Sequence, residues 1–115
     1  MEFKPNCDFA ASTGDLALLQ QCYSKGHPIG PWTLAYAAWK GHLHILHWLI
    51  QHHCKGGTEA TRQAAAAGHT DAFMLLAERG YKVDEWSITY AKQHGHAELA
   101  SIAAHYEKKC REEKK

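Results

Sequence analysis

The residue pattern predicts an all-α protein, four stacked helix-turn-helix repeats forming a short solenoid, and three observations carry that prediction. Gly14, Gly41, Gly68 and Gly95 stand 27 residues apart. Small residues precede them in pairs: Ala10 and Ala11, Ala37 and Ala38, Ala64 and Ala65, with Ala91 and Lys92 in the fourth place. Behind each glycine follows an apolar segment with helical spacing. A fixed period of this length marks a repeat array, in which one unit cannot bury its apolar face alone and stability comes from stacking. The 115 residues are therefore read as one domain, with copies at about 3–29, 30–56, 57–83 and 84–110 and a charged tail at 111–115.

In the first copy Asn6 is placed to cap a short helix through Phe9 and Ala10, and Leu18, Leu19 and Cys22 give the next helix its apolar side. The second copy opens at Pro31, whose fixed φ suits a helix N-terminus, and runs through Trp32, Leu34, Tyr36 and Trp39 up to Gly41. Its second helix covers about Leu43 to His52, and Lys55, Gly56 and Gly57 form the loop to the third copy. There Ala64 and Ala65 precede Gly68, and Ala72, Phe73 and Leu76 follow it. The fourth copy keeps one stripe of Leu99, Ile102, Ala103, Tyr106 and Cys110. Its Glu107, Lys108, Lys109, Arg111 and the run 112–115 are expected to face water as a fraying polar cap.

Laid in register, the copies divide into columns. Leu18, Ile45, Ala72 and Leu99 form one apolar column; Leu19, Leu46, Phe73 and Ala100 form the next, and Cys22, Leu49, Leu76 and Ala103 a third. Between them run Ala17, His44, Asp71 and Glu98, and Ser24, Gln51, Glu78 and His105, mostly polar, so one face is buried and one is wet. A glycine at every turn points to a left-handed backbone that closes the first helix before the chain reverses. The position after it holds Asp15 and then His42, His69 and His96, a column that argues for a turn-stabilising hydrogen bond in each copy. Alanine pairs let neighbouring first helices approach closely.

Thirteen basic and twelve acidic residues leave a net charge of +1, so no chain-wide field draws the protein to nucleic acid or an anionic membrane. Ten histidines make that balance pH-dependent, since full protonation would carry the charge from +1 to +11. Cys7, Cys22, Cys54 and Cys110 contain no CxxC pair, which fits reduced thiols in a cytosolic setting. The N-terminal stretch has no apolar signal core, and no run approaches the ~20 apolar residues that span a bilayer. A cytoplasmic protein is expected; the host cytosol is the equivalent place for a chain exported without a cleaved signal.

The stretches AAWKGHLHILHWLIQHHC (37–54) and AAAAGHTDAFMLLAERGY (64–81) resemble the helix-turn-helix core of ankyrin repeats, and 7–27 and 88–106 are weaker copies of it. The usual ankyrin period is about 33 residues, so the resemblance implies that the projecting β-hairpin fingers are reduced to loops or absent. The threonine-proline-leucine-histidine opening is replaced by Trp32-Thr33-Leu34-Ala35 and Trp86-Ser87-Ile88-Thr89. Short tryptophan-bearing repeats of this kind resemble divergent ankyrin arrays of protists, their viruses and intracellular bacteria. The resemblance further implies a partner-binding concave strip at the two positions before each glycine: Ser12 and Thr13, Trp39 and Lys40, Ala66 and Ala67, Gln93 and His94. Pro31, Trp32, Glu59, Glu85 and Trp86 would extend that strip. A competing expectation is that Trp32, Trp48 and Trp86 pack between copies, leaving Trp39 as the anchor.

Other chemistries find less support. His44 and His47 share one helix and are near His52, His53 and Cys54 in sequence, but neither HExxH nor a CxxC with distant histidines is present, so no metal or other cofactor is expected. Cys7 or Cys54 with a histidine would be a nucleophile lacking any oxyanion loop, phosphate cradle or carboxylate pair, and no enzyme is expected. Trp32, Trp39, Lys40, Trp86, Lys92 and His94 offer stacking and cationic contacts to nucleic acid, against which the charge balance argues. The expectation is a non-catalytic protein-interaction module, an inhibitor or adaptor, present as monomer or homodimer. Its alternatives are a self-associating scaffold and, behind that, a histidine-based metal protein or enzyme.

Overall fold

A computed structural model of the chain describes residues 7–56 and 58–113, so the expected cap Asn6, the loop residue Gly57 and the last two lysines of the tail lie outside the described residues. The described residues are all-α. They form α1 (Cys7–Thr13), α2 (Leu16–Ser24), α3 (Pro31–Lys40), α4 (Leu43–Gln51), α5 (Glu59–Ala67), α6 (Thr70–Glu78), α7 (Glu85–Gln93) and α8 (Ala97–Glu113), with no strand among them. Each odd-numbered helix packs on the even-numbered helix that follows it, and α1, α3, α5 and α7 pack one on the next in a row.

The row is held together by small side chains. Ala10, Ala11, Ala37, Ala38, Ala64, Ala65 and Ala91 are all fully buried along it, where a longer side chain would push neighbouring helix axes apart. Larger residues fill the layer between the row and the second helices: Leu19, Leu34, Ile45, Leu46, Leu49, Phe73, Leu76 and Leu99. Leu18 alone among the three apolar columns is only partly covered. The two intervening columns, Ala17 to Glu98 and Ser24 to His105, are exposed throughout.

Both turns of each copy end a helix in the same way. At the first turn the amide of residue 15, 42, 69 or 96 donates to the carbonyl of Ala10, Ala37, Ala64 or Ala91 at 3.1, 3.0, 3.0 and 2.8 Å. This six-to-one bond requires a left-handed residue just before the donor, and Gly14, Gly41, Gly68 and Gly95 supply it with φ of 79°, 71°, 78° and 78°. At the second turn His27, Cys54 and Tyr81 donate to the carbonyls of Cys22, Leu49 and Leu76. Gly26 and Gly80 are the left-handed residues there, and His53, at φ 55°, takes the same conformation with a full side chain. The fourth copy has Glu107 at that position, and α8 runs on through Glu113. Glu107, expected to face water, is 8% exposed because it falls one turn after the buried Ala103 on the inner stripe of α8; Nε of the exposed Arg111 donates to its Oε1 at 3.0 Å.

Candidate partner-binding face

The exposed side of the first-helix row carries most of the large aromatic surface left uncovered. Pro31 starts α3, and Thr33 fixes that start: its Oγ1 accepts from the amide of Gly30 at 3.1 Å and donates to Asp8 Oδ1 on α1. Helical spacing then puts Trp32, Tyr36 and Trp39 on one side of α3, at successive turns. They are 56%, 38% and 45% exposed. The Trp32 and Tyr36 rings stand 6.3 Å apart, and Nζ of Lys40 lies 4.4 Å over the Trp39 ring, a cation–π contact that holds the indole in place. With Ala35 and with Gln63 of α5, the three aromatics line a shallow groove of about 200 Å³.

Two copies further on the motif returns. Trp86 and Tyr90 on α7 are 5.9 Å apart, and Trp86 is 54% exposed. Phe9, 40% exposed on α1, stands in the same column as Tyr36, Gln63 and Tyr90. Asp84 sets the start of α7 by accepting from the amide of Ser87, and it pairs with Arg62 of α5 beside this face. Hydrogen bonding to Asp84 holds the Arg62 guanidinium still more firmly protonated than usual.

The remaining candidate positions distribute as follows. Thr13, Lys40, Gln93 and His94 are exposed at the ends of α1, α3 and α7; Ser12, Ala66 and Ala67 are half-buried; Glu59 is half-buried and Glu85 exposed at the first turns of α5 and α7. The expectation that Trp32 and Trp86 pack between copies is overturned by their exposure. Both sit at the open N-terminal turn of a first helix, where each ring meets the tyrosine one turn along the same helix. Trp48 does pack between copies, 5.3 Å edge-on from Tyr23 and stacked on His52 at 3.9 Å. Tyr36, Tyr90 and Phe9 were not singled out from the sequence as partner residues, although their shared 27-residue column was the signal that would have joined them.

The histidine column faces the row of turns, but the hydrogen bond expected in each copy is recorded for His42 and not for His69 or His96, whose rings instead fill space beside the preceding glycine. Nε2 of His42 donates to Ser12 O of the preceding copy at 3.3 Å, and Nε2 of His44 donates to Gly14 O at 3.1 Å. A Cβ built on Gly14 would lie 2.8 Å from the His42 ring, one on Gly41 2.8 Å from His69, and one on Gly68 2.5 Å from His96. Each imidazole thus occupies the space that the missing side chain of the previous turn leaves.

Two of the thiols, Cys7 and Cys54, are held as thiols. Burial pushes Cys54 up to about 11, with Asp8 and Cys7 adding to the shift, and its Sγ donates to Gly30 O at 3.4 Å. Burial also raises Cys7, whose Sγ donates to His27 O at 3.6 Å. A nucleophile needs the reverse shift. Among the described residues no three His, Cys, Asp or Glu side chains converge as a metal site, and no helix is long and apolar enough to cross a membrane. Compared with known proteins, the chain matches no family model and no curated protein sequence.

Proposed function

We propose that the chain is a non-catalytic protein-interaction module, an ankyrin-like array of four short repeats that engages a partner protein through the exposed side of its first helices. The carrying observation is the row of uncovered aromatics, Trp32, Tyr36 and Trp39 on α3 with Phe9 on α1 and Trp86 on α7. Large aromatics are costly to leave in water and dominate the energetics of interfaces, where they seat in flat or concave surfaces rimmed by polar groups. Gln63, Ala66 and Ala67 of α5 give α3 a flat neighbour of that kind, and Lys40, Lys92, Gln93 and His94 supply the polar rim. The buried, protonated thiols fit a reducing compartment, which supports a cytosolic site of action.

The same uncovered aromatics favour one second reading, pairing of two copies of the chain. Light scattering on the eluting protein separates the two: a monomer mass supports the module, and a dimer that dissociates on Trp32→Ala supports the scaffold. For the module, Trp39→Ala is expected to keep the helical circular dichroism, shift stability by less than about 0.5 kcal/mol as exposed positions do, and weaken the captured partner by about 2 kcal/mol or more. Loss of folding in that variant would make Trp39 a core residue and remove the reading.

A further inference from the structure

We propose that the cleft between segments 50–56 and 79–82, on the loop side of the second and third copies, docks an acidic peptide segment of a partner protein. This site is independent of the first-helix face. The cleft has a volume of about 740 Å³, with Ile50 and Tyr81 giving it an apolar lining and Lys55, Arg79 and Lys82 giving it cations. No residue lining it is acidic. Both ion pairs recorded among the described residues, Arg62 with Asp84 and Arg111 with Glu107, lie elsewhere, so Lys55, Arg79 and Lys82 are unpaired there.

The net charge of +1 conceals this local excess, which Lys82 bounds on one side, since it also borders a second cleft with Asp84, Glu85 and Glu107. Arg79 follows the last turn of α6, where the helix dipole alone favours a cation. Lys55 and Lys82 lie beyond the helix ends, one repeat apart and in one column, where the dipole accounts for neither. Like charges lining one cleft repel, and an incoming carboxylate series relieves that repulsion while pairing with each. A peptide fits better than the other polyanions. Nucleic acid calls for exposed aromatic platforms beside the cations, whereas Tyr81 in this cleft is half-buried with its hydroxyl tied to Cys54 O and the exposed indoles of Trp32 and Trp39 line a different groove. A membrane surface calls for large exposed apolar side chains, which this lining lacks.

The test is fluorescence anisotropy of dye-labelled octaglutamate against the folded full chain at low salt. Binding is expected to weaken on adding salt and to weaken roughly tenfold or more in Lys55→Glu/Lys82→Glu, with Lys55→Gln/Lys82→Gln intermediate. Lys40→Glu/Lys92→Glu changes net charge equally on the opposite helices and is expected to leave binding within about twofold, as is Trp32→Ala/Trp39→Ala. Absence of binding at low salt, equal weakening by the Lys40/Lys92 pair, or tighter binding of an oligothymidylate of matching charge would each overturn the proposal.

Discussion

At Gly41 two constraints meet that most glycines face singly. Its φ of 71° disfavours any residue with a Cβ, at about 1–2 kcal/mol, and the His69 ring of the next copy fills the place the Cβ would take. Gly95 shares the turn and the conformation, with φ 78°, but a Cβ there would meet nothing within 4 Å. The pair separates backbone strain from contact between copies. Both Gly41→Ala and Gly95→Ala are expected to lower the unfolding free energy measured by urea titration, by about 1–2 kcal/mol from strain, with Gly41→Ala costing more. Adding His69→Ala should recover part of the Gly41 deficit and none of the Gly95 deficit. Equal costs at the two glycines would mean that His69 moves aside freely and that the imidazole column contributes nothing to stacking.

Helix ends carry the second regularity, and one of them is imperfect. Gly26, His53 and Gly80 each end a second helix in the left-handed region, yet only His53 bears a side chain there, at φ 55°. His53→Gly is expected to stabilise the protein by about 0.5–1 kcal/mol, the relief of left-handed strain less the extra freedom glycine gains in the unfolded chain. A thermal melt that falls or stays put would show that the His53 side chain offsets its own strain. This position also marks where sequence reading stopped. The first ladder was legible because its spacing and its residue type both repeat four times; the second has glycine in only two of four copies, with His53 and Glu107 in the others, so its period was hidden. Helical spacing likewise identified the buried columns, since Ile45, Leu46, Leu49, Phe73 and Leu76 fall on one stripe. It misassigned Trp32 and Trp86 because amphipathic period says which residues share a side and not whether a neighbouring copy covers that side. Glu107 turned inward for a related reason: a charge run reads as solvated although one of its members, four residues after the buried Ala103, continues the inner stripe of α8.

Across the whole molecule, loops are held within a copy and between copies by groups that must stay protonated, and the bond made by Tyr81 spans a full period. Cys7 donates to His27 O, Cys54 to Gly30 O, and the Tyr81 hydroxyl to Cys54 O. A stack of this kind holds only as strongly as each junction between neighbours, and Cys54 stands at one: its thiol ties the loop of its own copy to Gly30 O while its carbonyl accepts from Tyr81 of the next copy. Burial raises Cys54 from 9.0 to about 11 and raises Tyr81 as well. The sign follows directly: the unfolded chain releases the Cys54 proton first, so from about pH 9 to 11 it binds fewer protons than the folded protein and stability falls as pH rises. Below pH 9 the Cys54 contribution is constant. Urea unfolding followed through this range should therefore show a declining midpoint in the parent protein and a shallower decline in Cys54→Ala, which lacks the shifted thiol while keeping Tyr81 and the lysines. Thiol labelling gives the same junction a second readout: in the native protein near pH 8 only the half-buried Cys110 should react quickly, with Cys7, Cys22 and Cys54 following at the rate of unfolding. Parallel pH profiles for the parent and Cys54→Ala would remove the thiol from the account of how the loop of the second copy is held.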